Sequence, residues 1–265
     1  MRCSELSSAE PLAGTATVST RFLLLEHRGP WGRDVLDGTA LSVEAGACAQ
    51  AFDGRIMLIR RPGSNDAAPA AYVAEALTEG GTLRRLLLPG GETSEELAGQ
   101  LLLVCTHGRR DACCARLGVP LHDALAPYVD VGRLWQSSHH GGHRFAANIL
   151  ALPSGVQLGR VPPREAAAVA SQLGAGRIPL DWYRGRTLDS PRCQAADAEV
   201  RRELGLDRFE DVRPLRDDGA IVDVAVPEGV VHVRVDETGG PLLPPSCGAE
   251  PESSGRLVAC VESRT

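Results

Sequence analysis

The sequence predicts an α/β fold that closes in a β-rich C-terminal part. Three observations carry this reading. Apolar runs of strand length alternate with segments of helical periodicity through the middle of the chain. Ala220–Val226 and Val230–Val235 alternate apolar and polar side chains around Pro-Glu-Gly, the pattern of a hairpin. Two apolar segments end in loops rich in cysteine or histidine, which places reactive side chains at strand ends.

Composition narrows the class. The 265 residues are 43% hydrophobic and 23% charged, as in an ordinary globular protein. The net charge is −6, and every Lys/Arg position is arginine. No basic stripe stands out, so nucleic acid is not expected as a partner. No apolar run reaches the roughly 18 residues of a membrane span, and Met1–Glu10 has no apolar core of a secretory signal. A cytoplasmic protein is expected, without membrane attachment. Eight cysteines in a reducing compartment point to metal ligands or redox groups before disulfides.

In order, residues 1–15 are small and polar and are expected as a loose leader. Residues 15–26 read as a buried strand, broken at Arg28-Gly-Pro-Trp31-Gly, where Trp31 is expected to cap the core. A moderate helical pattern covers 34–51, with Cys48 on its apolar face. Residues 55–60 form a second strand, 63–69 a surface loop, 71–76 and 82–89 two further strands, and Gly90-Gly91 a turn. Residues 100–105 give the clearest strand. Leu117, Leu121, Leu125 and Tyr128 then fall at helical spacing, with Pro120 bending or starting that helix. A short strand at 131–136 follows, then a hairpin over 148–160 turning at Ser154-Gly155. An alanine-rich helix begins at Pro163, and a capped helix runs from Ser190 to Gly205. Three regions result: the leader at 1–15, an α/β region at 16–210, and a β-hairpin extension at 211–265.

The chemistry concentrates in Cys105-Thr-His-Gly-Arg-Arg-Asp-Ala-Cys-Cys114-Ala-Arg and Trp135-Gln-Ser-Ser-His139-His-Gly-Gly-His143-Arg-Phe-Ala-Ala-Asn148. Thiols and imidazoles presented together are metal ligands for zinc or for an iron–sulfur cluster. Eight residues separate Cys105 from Cys114, more than the two to four of a zinc knuckle, which favours the larger object. His139 and His143 enclose His-Gly-Gly, poor helix interior, so the pair is expected in a tightly bent loop. The residues alone leave Cys113 open against Cys114, and His140 against His139. His107 reads as a residue supporting the site or an exposed loop residue before a ligand, His122 as a surface residue, and His232 as a surface or packing residue. Cys3 is expected to be exposed, and Cys193, Cys247 and Cys260 to be structural thiols.

The two motifs together resemble the sucrase/ferredoxin-like family, among the thioredoxin-like ferredoxins. The resemblance implies a thioredoxin-like ferredoxin core with a 2Fe–2S cluster, in the branch that uses two cysteines and two histidines. The implied ligands are Cys105, Cys114, His139 and His143, and the family spacing favours Cys114 and His139 over their neighbours. Cys113, His140, Arg109, Arg110 and Arg144 would then lie around the cluster. The arginines would stabilise its reduced form, dock an electron partner, or be solvated loop residues. Imidazole ligands raise a cluster's potential, to about −150 to +300 mV in Rieske centres against roughly −400 mV in plant-type ferredoxins. No nicotinamide or flavin fingerprint or phosphate loop is present, so an electron partner would be a separate redox protein. Two alternatives use the same residues: a zinc-stabilised binding module, and a thiol-dependent oxidoreductase. The second lacks the usual Cys-x-x-Cys. A glycosidase is not expected, since no paired carboxylates frame a cleft.

Overall fold

The computed structural model describes residues 2–63, 69–78, 80–86 and 94–265. The expected turn at Gly90-Gly91 and most of the expected loop at 63–69 lie outside them. The elements are α1 (Cys3–Leu6), β1 (Arg21–Glu26), α2 (Val43–Ala51), β2 (Arg55–Arg60), β3 (Ala71–Glu75), β4 (Thr82–Leu86), β5 (Ser94–Glu96), β6 (Leu101–Cys105), α3 (Ala112–Leu125), β7 (Leu134–Ser137), β8 (Ile149–Leu152), β9 (Val156–Leu158), α4 (Ala166–Gly174), β10 (Tyr183–Arg186), α5 (Pro191–Leu204), β11 (Arg213–Asp217), β12 (Ile221–Val226), β13 (Gly229–Leu243) and β14 (Glu252–Arg264).

Ten strands form one mixed sheet in the order β10-β9-β8-β6-β7-β2-β1-β3-β4-β5. Two stretches of that sheet repeat one topology. β1, α2 and β2 make a parallel βαβ unit, and β3 and β4 add an antiparallel hairpin beyond β1. β6, α3 and β7 make a second parallel unit, and β8 and β9 add its hairpin beyond β6. The two halves join through the antiparallel pair β2/β7, where Ile59 faces Ser137 and Arg60 faces Gln136.

β6 shows why its sequence is uniformly apolar. Leu102 and Val104 face the core beneath α3 and α4, while Leu101 and Leu103 face the opposite side with Phe22, Met57 and Trp135. A strand buried on both faces needs apolar side chains at every position.

The C-terminal strands form a separate antiparallel sheet, β11-β12-β13-β14. Val222, Val224, Val231, Val233 and Val235 point to one face, where Ala195, Ala196 and Val200 of α5 cover them. The extension expected from residue 211 therefore takes its core partner from the region before it. The buried ion pair Arg201–Asp197, at 3.0 Å, supports that junction, and Tyr183 Oη donates to Asp197 at 2.8 Å.

Several expectations need correction. The leader is packed rather than loose: Cys3, Ser7 and Glu10 are buried, and Arg160 donates to the carbonyls of Ser7 and Glu10. The strand expected from residue 15 starts at Arg21. Residues 15–19 instead bond to Arg184, Gln194, Gln157 and Thr187, which ties them to β9, β10 and α5. The helix expected from residue 34 starts at Val43, where Ser42 Oγ accepts from Ala45 N, and Gly38 upstream has a left-handed φ of +69°. Pro120 lies inside α3, which starts well before it, at Ala112. His122 faces inward and is buried. The short strand at β7, the hairpin of β8 and β9, and the Ser190 and Gly205 caps of α5 fall where expected. Among the described residues, no helix is long and apolar enough to cross a membrane.

Burial, aided by the Asp197 charge, raises the Asp189 pKa from 3.8 to about 7. Folding therefore takes up a proton between those values. The associated stability is complete below pH 3.8 and is lost as the pH rises through about 7. Asp189→Asn should remove this dependence. Urea denaturation of variant and wild type across that range should show the variant gaining relative stability as the pH rises.

Candidate metal centre

The site forms where the parallel strands β6 and β7 end side by side. Cys105 closes β6 and is 2% exposed. Gly118 lets α3 cross close above it, because a Cβ there would run into the Cys105 carbonyl. Asp111 caps α3, its Oδ1 accepting from Cys113 N at 2.8 Å. The helix thus begins at Ala112 and carries both Cys113 and Cys114 in its first turn. Consecutive helical residues project about 100° apart, so the two thiols face different surroundings.

Cys114 Sγ lies 3.7 Å from His139 Nδ1, and Cys105 Sγ lies 3.8 Å from the same nitrogen. Cys113 faces away, toward Cys3 at 3.7 Å and Cys247 at 3.4 Å. The histidine loop leaves β7 and turns at Gly141 and Gly142, whose φ values are +98° and +70°. A Cβ on Gly142 would strike the Arg184 guanidinium. Arg184 is buried beneath the loop and donates to Gly141 O at 3.2 Å, Asn148 Oδ1 at 2.9 Å and Thr15 Oγ1 at 3.0 Å. Asn148 in turn donates to Gly142 O at 2.9 Å.

Cys105, Cys114 and His139 bring their donor atoms within 4.8 Å of one another. His143 extends this set on the far side of His139. Its Nδ1 is 3.4 Å from His139 Nε2, and its Nε2 is 4.0 Å from Asp111 Oδ2. His140 stays outside: Gln157 Nε2 meets its Nδ1 at 3.0 Å, and burial lowers its pKa to about 3, which keeps the ring neutral. His107 is buried and orders the loop. Its Nε2 lies 2.7 Å from Gly32 O, its Nδ1 accepts from His139 N at 3.2 Å, and its ring meets that of Trp31 edge-on.

A hydrogen bond from Cys114, helped by His139, lowers the Cys105 pKa well below that of an ordinary thiol, although burial opposes it. The same hydrogen bond and burial hold the proton on Cys114. Of the two thiols, Cys105 is the one biased toward giving up its proton, and a bound cation would displace the protons of both. Two guanidinium groups stand close by: half-buried Arg55 donates to His139 O at 3.2 Å, and buried Arg184 lies under the loop. The thiol and imidazole donors, mostly withdrawn from water, fit a thiophilic metal or cluster.

Of the arginines expected near the site, Arg109 is exposed, Arg110 pairs with Asp34, and Arg144 pairs with Glu10 at 3.2 Å. Arg55, Asp111, Gln157 and Arg184 were not anticipated. Their contacts come from distant strands and caps, which local spacing does not reveal.

The family model described as sucrase/ferredoxin-like matches residues 12–185, more than half of the chain. The chain belongs to the sucrase/ferredoxin-like family. The match takes in both the cysteine loop and the histidine loop and the whole ten-stranded sheet except the last residue of β10. The chain is also similar to yeast proteins named "Altered inheritance of mitochondria protein 32". Identity is 32% over 104 residues with that of Debaryomyces hansenii, covering 34% of this chain and 37% of the relative. It is 35% over 99 residues with that of Eremothecium gossypii, covering 32% of each. The chain thus spans about a third of the length of these curated relatives.

Gly142→Ala should destabilise the histidine loop by at least the ~1–2 kcal/mol of a left-handed non-glycine residue. Displacement of Arg184 adds to that cost. Chemical denaturation of the variant measures it.

Proposed function

We propose that this chain is an electron-transfer protein holding a 2Fe–2S cluster on Cys105, Cys114, His139 and His143. The observation that carries the reading is the row of donors: two thiols meet Nδ1 of the His139 ring, and His143 meets its Nε2. A single tetrahedral ion would gather four donors around one point, whereas this set is elongated. The thioredoxin-like core belongs to the same reading. Each half of the large sheet is a βαβ unit followed by an antiparallel hairpin, and the donors sit at one such unit's strand ends.

When bound, the cluster supplies one-electron transfer at a potential raised by its imidazole ligands. The chain's own residues set the conditions. Cys105 and Cys114 provide the anionic donors from buried positions, while His139 and His143 provide neutral donors that are only half-buried. The half-buried Arg55 and the buried Arg184 offset negative charge held at the site. His143 Nε2 faces Asp111 Oδ2 at 4.0 Å, but burial outweighs that charge and lowers the His143 pKa, which favours the neutral ring a metal ligand needs. A separate redox protein would exchange electrons with the chain, and the half-buried histidine edge is where it would approach.

The first test is the visible spectrum of anaerobically purified protein, with iron, sulfide and zinc assayed on the same sample. Red-brown protein with about two iron and two sulfide per chain is expected for a 2Fe–2S centre. A colourless protein without iron would overturn the reading and leave zinc on Cys105, Cys114 and His139 as its replacement. His143→Cys should keep the cluster and lower its midpoint potential in a redox titration; an unchanged potential counts against ligation by His143. Cys113→Ser should retain full iron and sulfide, because Cys113 faces away from the donors.

A further inference from the structure

Three thiols and a carboxylate outside this centre meet at a second point. Cys3 comes from α1, Asp111 and Cys113 from the start of α3, and Cys247 from the segment between β13 and β14. The sulfur–sulfur distances are 3.7 Å for Cys3–Cys113, 3.5 Å for Cys3–Cys247 and 3.4 Å for Cys113–Cys247. The Asp111 oxygens lie 3.7 and 3.8 Å from Cys3 Sγ, and all four residues have a donor atom within 4.8 Å of the others. Cys3 and Cys113 are buried, as is the Asp111 side chain, while Cys247 is half-buried.

We propose that Cys3, Asp111, Cys113 and Cys247 form a second metal site that takes zinc(II) in a tetrahedral set of three sulfurs and one oxygen. The spacing fits. Zn–S bonds of about 2.3 Å at tetrahedral angles separate the sulfurs by about 3.8 Å, and a Zn–O bond of about 2.0 Å puts the oxygen about 3.5 Å from each sulfur. A disulfide accounts for the arrangement less well. It would join two of the sulfurs at about 2.05 Å and leave the third thiol and the carboxylate without a role.

The donors are also pre-oriented. Asp111 Oδ1 and Oδ2 are fixed by Cys113 N and Cys247 N, each at 2.8 Å, and Ser4 Oγ donates to Cys113 Sγ at 3.2 Å. Such contacts hold ligands in place in built metal sites. Zinc here would tie both ends of the chain to the start of α3. Thiolate-rich tetrahedral sites of this kind are structural and closed to substrate. The site stands whether or not Cys105 and Cys114 carry a cluster.

The test compares full-length wild type with Cys3→Ser, Cys247→Ser and the exposed control Cys260→Ser. Each is purified anaerobically, exposed to a zinc salt, desalted and assayed for zinc, iron and sulfide. Wild type and Cys260→Ser should hold one zinc that Cys3→Ser and Cys247→Ser have lost, with iron and sulfide equal in all four. Wild type without zinc, zinc retained by both variants, or loss of iron from them would each overturn the proposal. Should the variants fail to fold, alkylation of wild type decides. Zinc should protect Cys3, Cys113 and Cys247 from a thiol reagent, and a chelator should expose them. Equal labelling with and without chelator, or a disulfide among the three, would overturn it.

Discussion

Much of the site's geometry depends on the carboxylate of Asp111. By capping α3 it fixes where the helix begins, and therefore which way each of two adjacent cysteines points. A start one residue later would rotate the first turn by about 100° and turn both thiols away from what they now face. The same carboxylate receives Cys247 N and faces His143 Nε2, so a single buried anion touches the helix, the C-terminal segment and the histidine loop. Buried charge is costly without such partners, and here backbone N–H groups and a neighbouring imidazole supply them.

The histidine loop is organised by a different kind of contact. Two glycines with positive φ let the chain reverse, and the vacancy left by their missing side chains is filled by Arg184 and Thr17. Arg184 then bonds to the loop, to Asn148 and to residue 15. The N-terminal segment, β10 and the histidine loop are consequently parts of one hydrogen-bonded unit. That explains why residues 1–15, polar and small in sequence, are packed in the structure.

The apolar strands, the α5 caps and the cysteine and histidine loops were legible because each has a local signature: apolar runs, Ser at an N-cap, Gly at a C-cap, clustered Cys and His; β5, β10 and β11 lack such runs and were not. The separation of Cys113 from Cys114 was not legible from spacing alone, since it follows from where the Asp111 cap sets the helix. Cys3 looked incidental because its partners are over 100 residues away. Arg55 read as an ordinary strand arginine and the segment of Arg184 carried no assignment, and only strand order brings the two beside the loop. The topological repeat was invisible too, because its halves share connectivity while their loops differ in sequence.

That repeat divides labour between its halves. The crest after β6 carries the thiols, whereas the equivalent crest after β1 carries Trp31 and Gly32, which clasp His107 from the other side. One half supplies chemistry and its counterpart supplies a wall. Solvent consequently meets the donor set from one direction, across the histidines, with the cysteines at the blind end. A redox centre so placed would have a front and a back: charge and protons would be exchanged through the imidazole face, while the sulfur face stays dry.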